Sequence, residues 1–199
     1  MIVHYLGQTS DFTGLTVWER EQELNRIFAA LYNDNHIVQE VVIDEEVYRE
    51  DYESILRQRL SHIEKVEIRT VHGDVLVAEM LHEMGGYLPR VTRAIESISD
   101  LLYGEMSQED WGYFSQLLEG IGWVEQAVRI ILTQFHRSPG TDPLAEPFAN
   151  FSNRLPQLLN DIEEAMERKE YVQVGDLIKY EIGELFQQLE QSVQCRVNV

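Results

Sequence analysis

Residues 107–136 read SQEDWGYFSQLLEGIGWVEQAVRIILTQFH, and the way this stretch disposes its apolar side chains decides the fold. Phe114, Leu117, Leu118, Ile121, Val124, Val128, Ile131, Leu132 and Phe135 follow the three-four spacing of a buried helical stripe. Ser107 stands at the N-cap, and Asp110 three residues on makes a weak capping box. Gly120, Trp123, Ala127 and Ile130 form a second stripe, which at about 100° per residue falls on roughly the opposite side of the cylinder. A helix apolar nearly all round needs cover from more than one direction. Those four residues are therefore the candidate interaction surface, to be covered by the rest of the chain, by a second copy in a homodimer, or by another protein.

The neighbouring segments supply cover for the first stripe. Val77, Leu81, Met84, Leu88, Val91, Ile95, Ile98 and Leu102 alternate steps of four and three, a heptad seam that stays in phase across Gly85-Gly86 and Pro89. The spacing predicts one kinked helix, closed by Tyr103-Gly104-Glu105; an interior proline forfeits a backbone hydrogen bond at about 3 kcal/mol, which a long seam offsets. After a break at His136–Asp142, Leu144, Phe148, Phe151, Leu155, Leu158, Ile162 and Ala165 make a third seam, with Pro156 predicting a kink. Val174, Ile178, Ile182, Leu185, Leu189 and Val193 mark a fourth helix, after which the chain trails off. Four amphipathic helices with short connections predict an antiparallel four-helix bundle over residues 73–199.

Residues 1–72 have a different texture, that of a small α+β domain. Ile2–Leu6 reads as a strand, Gly7–Gly14 as a turn-rich link, and Leu15–Trp18 as the returning strand of a hairpin. Glu19–Tyr32 has one apolar helical face, stopped by Asn33-Asp34-Asn35-His36. Ile37–Ile43 is β-branched and reads as a buried strand, Asp44-Glu45-Glu46 as a tight turn, and Val47-Tyr48 as a short return strand. Asp51–His62 is helical in spacing, and Val66–Val71 alternates as a half-exposed strand does. The order β-β-α-β-β-α-β resembles the β-grasp, the ubiquitin-like topology, with a ferredoxin-like split βαβ unit as the alternative. The terminal di-glycine of ubiquitin-type conjugation has no counterpart, since Gly85-Gly86 falls inside a helix. The fold class is thus α+β, a β-grasp-like unit followed by a helical bundle.

The composition narrows the function classes. Among 199 residues, 44% are hydrophobic and 26% charged, as in a soluble globular protein. The net charge of −19 repels phosphate backbones and anionic surfaces, which disfavours nucleic-acid and membrane partners. No apolar run approaches the roughly 18 residues of a spanning helix, and the opening MIVHYLGQTSDF lacks the basic start of a secretory signal. Cys195 is the sole cysteine, so no internal disulfide forms, and a reducing, cytoplasmic setting is expected.

Chemistry-bearing motifs are sparse. Glu79-x-x-His82 has the spacing found in di-iron carboxylate bundles, but a second copy is missing and the seam through Leu81 and Met84 turns both residues away from the core. The six histidines lack zinc-ligand spacing, GQTSDFTG lacks the lysine of a P-loop, and no G-x-S-x-G occurs. Asp44-Glu45-Glu46 reads as a hairpin tip and Glu163-Glu164 as a wet helix face. No catalytic, cofactor-binding or metal-binding residue is expected, and apolar seams leave no inward polar groups for catalysis. The expectation is a non-catalytic interaction, adaptor or chaperone-like protein that binds a protein partner or itself. The competing class is a small-molecule or metal-binding protein, or an enzyme, using the cleft between the two domains, with Tyr171, Lys179, Tyr180 and Glu181 as the nearest polar-aromatic cluster.

Overall fold

The computed structural model describes residues 1–137 and 142–197. It is α+β: a five-stranded mixed sheet with two helices, then a helical region of about four helices. The chain divides into two units, Met1–Leu76 and Val77–Val199.

In the first unit β1 (Ile2–Tyr5) and β2 (Gln8–Asp11) form a hairpin, with Tyr5 opposite Gln8. The two residues between them, Leu6 and Gly7, have φ of 47° and 72°. Positive φ at both positions matches the twist of the strands in a two-residue turn. The returning strand is therefore Gln8–Asp11, which corrects the expectation of Leu15–Trp18. Those residues instead lead into α1 (Val17–Asn33), which starts two residues earlier than its apolar face suggests. Thr16 caps it in a reciprocal box: the Glu19 N–H donates to Thr16 Oγ1 at 3.3 Å, and the Thr16 N–H donates to Glu19 Oε2 at 2.8 Å.

The sequence then makes β3 (His36–Ile43), β4 (Glu46–Tyr48), α2 (Tyr52–Arg59) and β5 (Lys65–His72). Asp44 and Glu45 occupy the second hairpin turn at φ of 46° and 75°, and Glu46 already belongs to β4. Asp44 Oδ1 accepts the N–H groups of Glu64 and Lys65 at 3.0 and 2.8 Å, so a residue of the acidic tip fastens that turn to the start of β5. The sheet order is β2-β1-β5-β3-β4, with β1 and β5 parallel and Val3 beside Val66, both fully buried. Leu24, Ile27 and Leu31 of α1 join these two valines, Val41 and Ile43 in one core.

The second unit carries its own core. α3 (Gly73–Leu101) is one continuous helix with Pro89 inside it, and its seam from Leu81 to Leu102 is buried. α4 (Gln108–Arg137) begins at the expected cap. The Ser107 hydroxyl and N–H donate to Asp110 Oδ2 at 2.7 and 2.8 Å, and the Asp110 N–H returns to Ser107 Oγ at 3.2 Å. α5 (Ala145–Glu167) contains Pro156 and buries every residue of its expected seam. Most of the break expected over His136–Asp142, and the trailing end after Val197, lie outside the described residues.

The fourth helix is composite, which corrects the expectation of a plain helix. α6 (Tyr171–Asp176) passes into a π-helical segment (Leu177–Ile182) and then α7 (Gly183–Val197). Val174, Ile178 and Ile182 are two successive steps of four. A π turn closes i→i+5 bonds and holds more residues than an α turn, so it keeps all three buried on one side before Leu185, Leu189 and Val193 continue. Glycines flank the wider turn. A Cβ on Gly175 would lie 3.3 Å from the Ser99 carbonyl oxygen, Leu102 Cβ and Tyr103 Cζ, so α6 lies close against the end of α3, and a side chain there would need its neighbours to give by a few tenths of an ångström.

Two outcomes follow for stability. Gly175→Ala pushes against backbone, so it costs about 1–2 kcal/mol after its gain in helix propensity, read as a lower urea midpoint. Ser107→Ala removes a cap worth about 1 kcal/mol at neutral pH. The Ser107 hydroxyl and N–H hold the Asp110 carboxyl below its ordinary value. A depressed folded-state pKa gives stability that is complete above the ordinary aspartate value of about 4 and lost as pH falls through the lower folded value. Urea titrations should therefore show the gap between wild type and Ser107→Ala narrowing below that pH.

Candidate functional site

The second stripe of α4 does not stay together. Gly120 and Ala127 are buried, whereas Trp123 and Ile130 are 39% and 44% exposed. Tyr87 of α3 explains the split. Its ring meets Trp123 edge-on at 4.7 Å between centroids, and a Cβ on Gly120 would fall 2.9 Å from the Tyr87 hydroxyl. Gly120 is thus the place where a tyrosine from the neighbouring helix reaches across α4.

Below Tyr87 the two helices enclose a groove of about 580 Å³. Its floor comes from Val91, Ala94, Ile98 and Leu101 of α3 and from Leu117 and Gly120 of α4. Small residues at Ala94 and Gly120 leave the space. Tyr87 lies by Gly120 and Trp123, while Leu101 shares the other end with Asp110 and Tyr113, so the two helices run in opposite directions.

The ends differ in charge. At one, the Arg90 guanidinium lies 5.2 Å from the Tyr87 ring centroid and forms no ion pair among the described residues. At the other, Asp110 is engaged by Ser107, and the Tyr113 hydroxyl donates to Glu109 Oε1 at 2.6 Å, a bond that raises the phenol pKa. Tyr113 remains 44% exposed.

The polar-aromatic cluster of the fourth helix separates onto different neighbours. Tyr171 packs edge-on against Trp111 at 5.5 Å, and Glu181 pairs with Arg154 at 3.2 Å. Lys179 pairs with Asp100 at 2.7 Å and lies over the Tyr103 ring at 5.7 Å, while Tyr180 is 60% exposed. Tyr103 donates to Asp176 Oδ1 at 2.7 Å, and that carboxylate pushes the phenol up to about 12. Glu79 and His82 are both exposed on α3. Among the described residues no three His, Cys, Asp or Glu side chains gather as a metal ion would need, and no helix is long and apolar enough to cross a membrane.

The groove residues Tyr87, Arg90, Ala94 and Tyr113 were not singled out from the sequence. The signal was the pairing of small residues on facing helices, Ala94 with Gly120, beside aromatics that the core does not absorb.

Residues 79–192, from the second turn of α3 to the middle of α7, match the model of a domain of unknown function, DUF8042. The match spans more than half of the chain, and the chain belongs to that family. No curated protein and no solved structure matches it.

The close approach at Gly120 generates an expectation. An alanine Cβ displaces only the far end of Tyr87, and the helix gains about 0.5–1 kcal/mol from losing a glycine. Gly120→Ala should keep stability within about 1 kcal/mol of wild type. Its near-ultraviolet circular dichroism should change as Tyr87 leaves the Trp123 edge; an unchanged spectrum would show that the ring does not depend on the glycine.

Proposed function

We propose that this chain is a non-catalytic, cytoplasmic protein-interaction or adaptor protein whose docking surface is the α3/α4 groove with Trp123 at its rim. The observation that carries this reading is an apolar groove lined by the exposed Tyr113 and, at its other end, by Tyr87, against whose ring the exposed Trp123 of the same helix as Tyr113 packs. Aromatic anchors beside a concave apolar surface are what interface cores favour. The polar groups at the groove ends support a binding role over catalysis: Asp110 and Glu109 already accept internal hydrogen bonds, and the floor is hydrocarbon. The charge of −19 supports a protein partner over nucleic acid or a membrane surface, and a lone exposed Cys195 suits a reducing compartment.

The same reading extends to the two units. The opposite run of α3 and α4, with their interlocking apolar seams, supports an antiparallel four-helix bundle as the docking scaffold. The order β2-β1-β5-β3-β4 with its parallel β1/β5 centre supports a β-grasp topology for the first unit, the two central strands being the first and last in sequence.

Affinity capture with the full chain as bait tests the docking surface. A protein retained by wild type and by Tyr180→Asp, but lost from Trp123→Asp, supports it; here a second copy of the chain counts as a protein. Equal retention by all three baits would place binding elsewhere and sink the reading. A central aromatic anchor carries about 2 kcal/mol or more, so the loss should be at least about 30-fold.

A further inference from the structure

We propose that the occupant of the α3/α4 groove is a second copy of this chain, in a two-fold symmetric dimer that sets the Arg90 end of each groove against the Glu109 end of the other. This inference rests on the docking reading and names its partner. Its foundation is the unequal charge of the two groove ends. Arg90 stands beside Tyr87 with no carboxylate paired to it among the described residues, in a chain where acidic residues outnumber basic ones 35 to 16. Glu109 is exposed at the opposite end and engages Tyr113 through one oxygen, leaving the other for a cation.

A two-fold axis through the middle of the groove exchanges these ends. Each Arg90 then meets the Glu109 of the other copy, and each exposed Tyr113 meets the other copy's Tyr87–Trp123 pair. Every such contact occurs twice, as an isologous interface requires. The surface is complementary to itself, whereas a single foreign helix would have to supply an acid and a base at matched separation.

The size is adequate. From Glu109 to Ile130 the helix rises about 30 Å. With α3 alongside, the face is about 20 Å wide, on the order of 600 Å² in projection, near the roughly 800 Å² per partner of a standard interface. The net charge of −19 opposes association at long range. At physiological salt that repulsion is screened beyond about 8 Å, and the local Arg90–Glu109 pairing decides the outcome.

A charge exchange tests both the occupant and its orientation, using the full chain and sedimentation equilibrium at concentrations up to about 100 µM, above the micromolar end of the range for interfaces of this size. Wild type should be dimeric. Arg90→Glu sets two carboxylates against each other at both ends of the interface, and Glu109→Arg does the same with two guanidinium groups, so each alone should weaken the dimer by about 100-fold or more. An equimolar mixture of the two variants restores an acid–base pair at each end and should recover a heterodimer within about 10-fold of wild type. That recovery also shows both variants to be folded. A monomeric wild type overturns the second copy as occupant and leaves the docking reading to the Trp123→Asp capture. A dimer indifferent to both substitutions, or a mixture that stays monomeric, overturns the proposed arrangement.

Discussion

α4 has more apolar surface than its core-facing neighbours can take up. Phe114, Leu117, Ile121, Val124, Val128 and Ile131 enter the common core of the helical unit, and that burial sets where α3, α5 and the fourth helix lie. What remains on the other side is divided by one residue. Tyr87 crosses to Gly120, covers part of the stripe and meets the Trp123 ring at its edge, while Trp123 and Ile130 themselves stay largely exposed. The groove follows from the same arithmetic, because Ala94 and Gly120 are too small to fill the space between α3 and α4. Architecture and candidate function are therefore set by how one helix shares out its hydrocarbon.

Within the helical unit, periodicity carried most of the information. All seven seam positions of α5, from Leu144 to Ala165, are buried, as are the six predicted for the fourth helix. The Ser107–Asp110 box begins α4 where spacing places it, because capping is a local interaction between residues three apart. In the first unit the same kind of signal was present but outweighed. Thr16-x-x-Glu19 is a capping box, yet Leu15–Trp18 also looks like a strand of apolar residues. β2 itself, Gln-Thr-Ser-Asp, offers no apolar alternation because it lies at the sheet edge with little to bury. Leu6 at positive φ hides the turn further, since glycine, asparagine or aspartate usually holds that position.

The groove was the least legible feature. A stripe of apolar residues can be read from spacing, but an unfilled space is a property of two helices and of the side chain between them. Gly120 looked like one more member of a surface stripe; its role depends on Tyr87, thirty-three positions earlier. The cluster around Tyr180 failed in the opposite sense. Adjacent positions in sequence point round the helix toward separate neighbours, Asp100, Arg154 and Trp111, so nearness along the chain did not become nearness in space.

The π-helical segment makes the number of residues in the fourth helix part of its design. Between Leu177 and Ile182 the backbone accommodates one residue more than a plain α-helix would carry for the same advance. Shape elsewhere in the unit is specified by which side chains stand at which positions. Here it is specified by a count. Substitutions that keep the hydrocarbon would leave α7 facing inward, but loss of one residue from this segment would let it relax to an ordinary helix and turn Leu185, Phe186, Leu189 and Val193 by about a quarter of a revolution. Divergence by single-residue insertion and deletion, tolerated in surface connections, is closed to this helix, so its length should drift far less than its sequence.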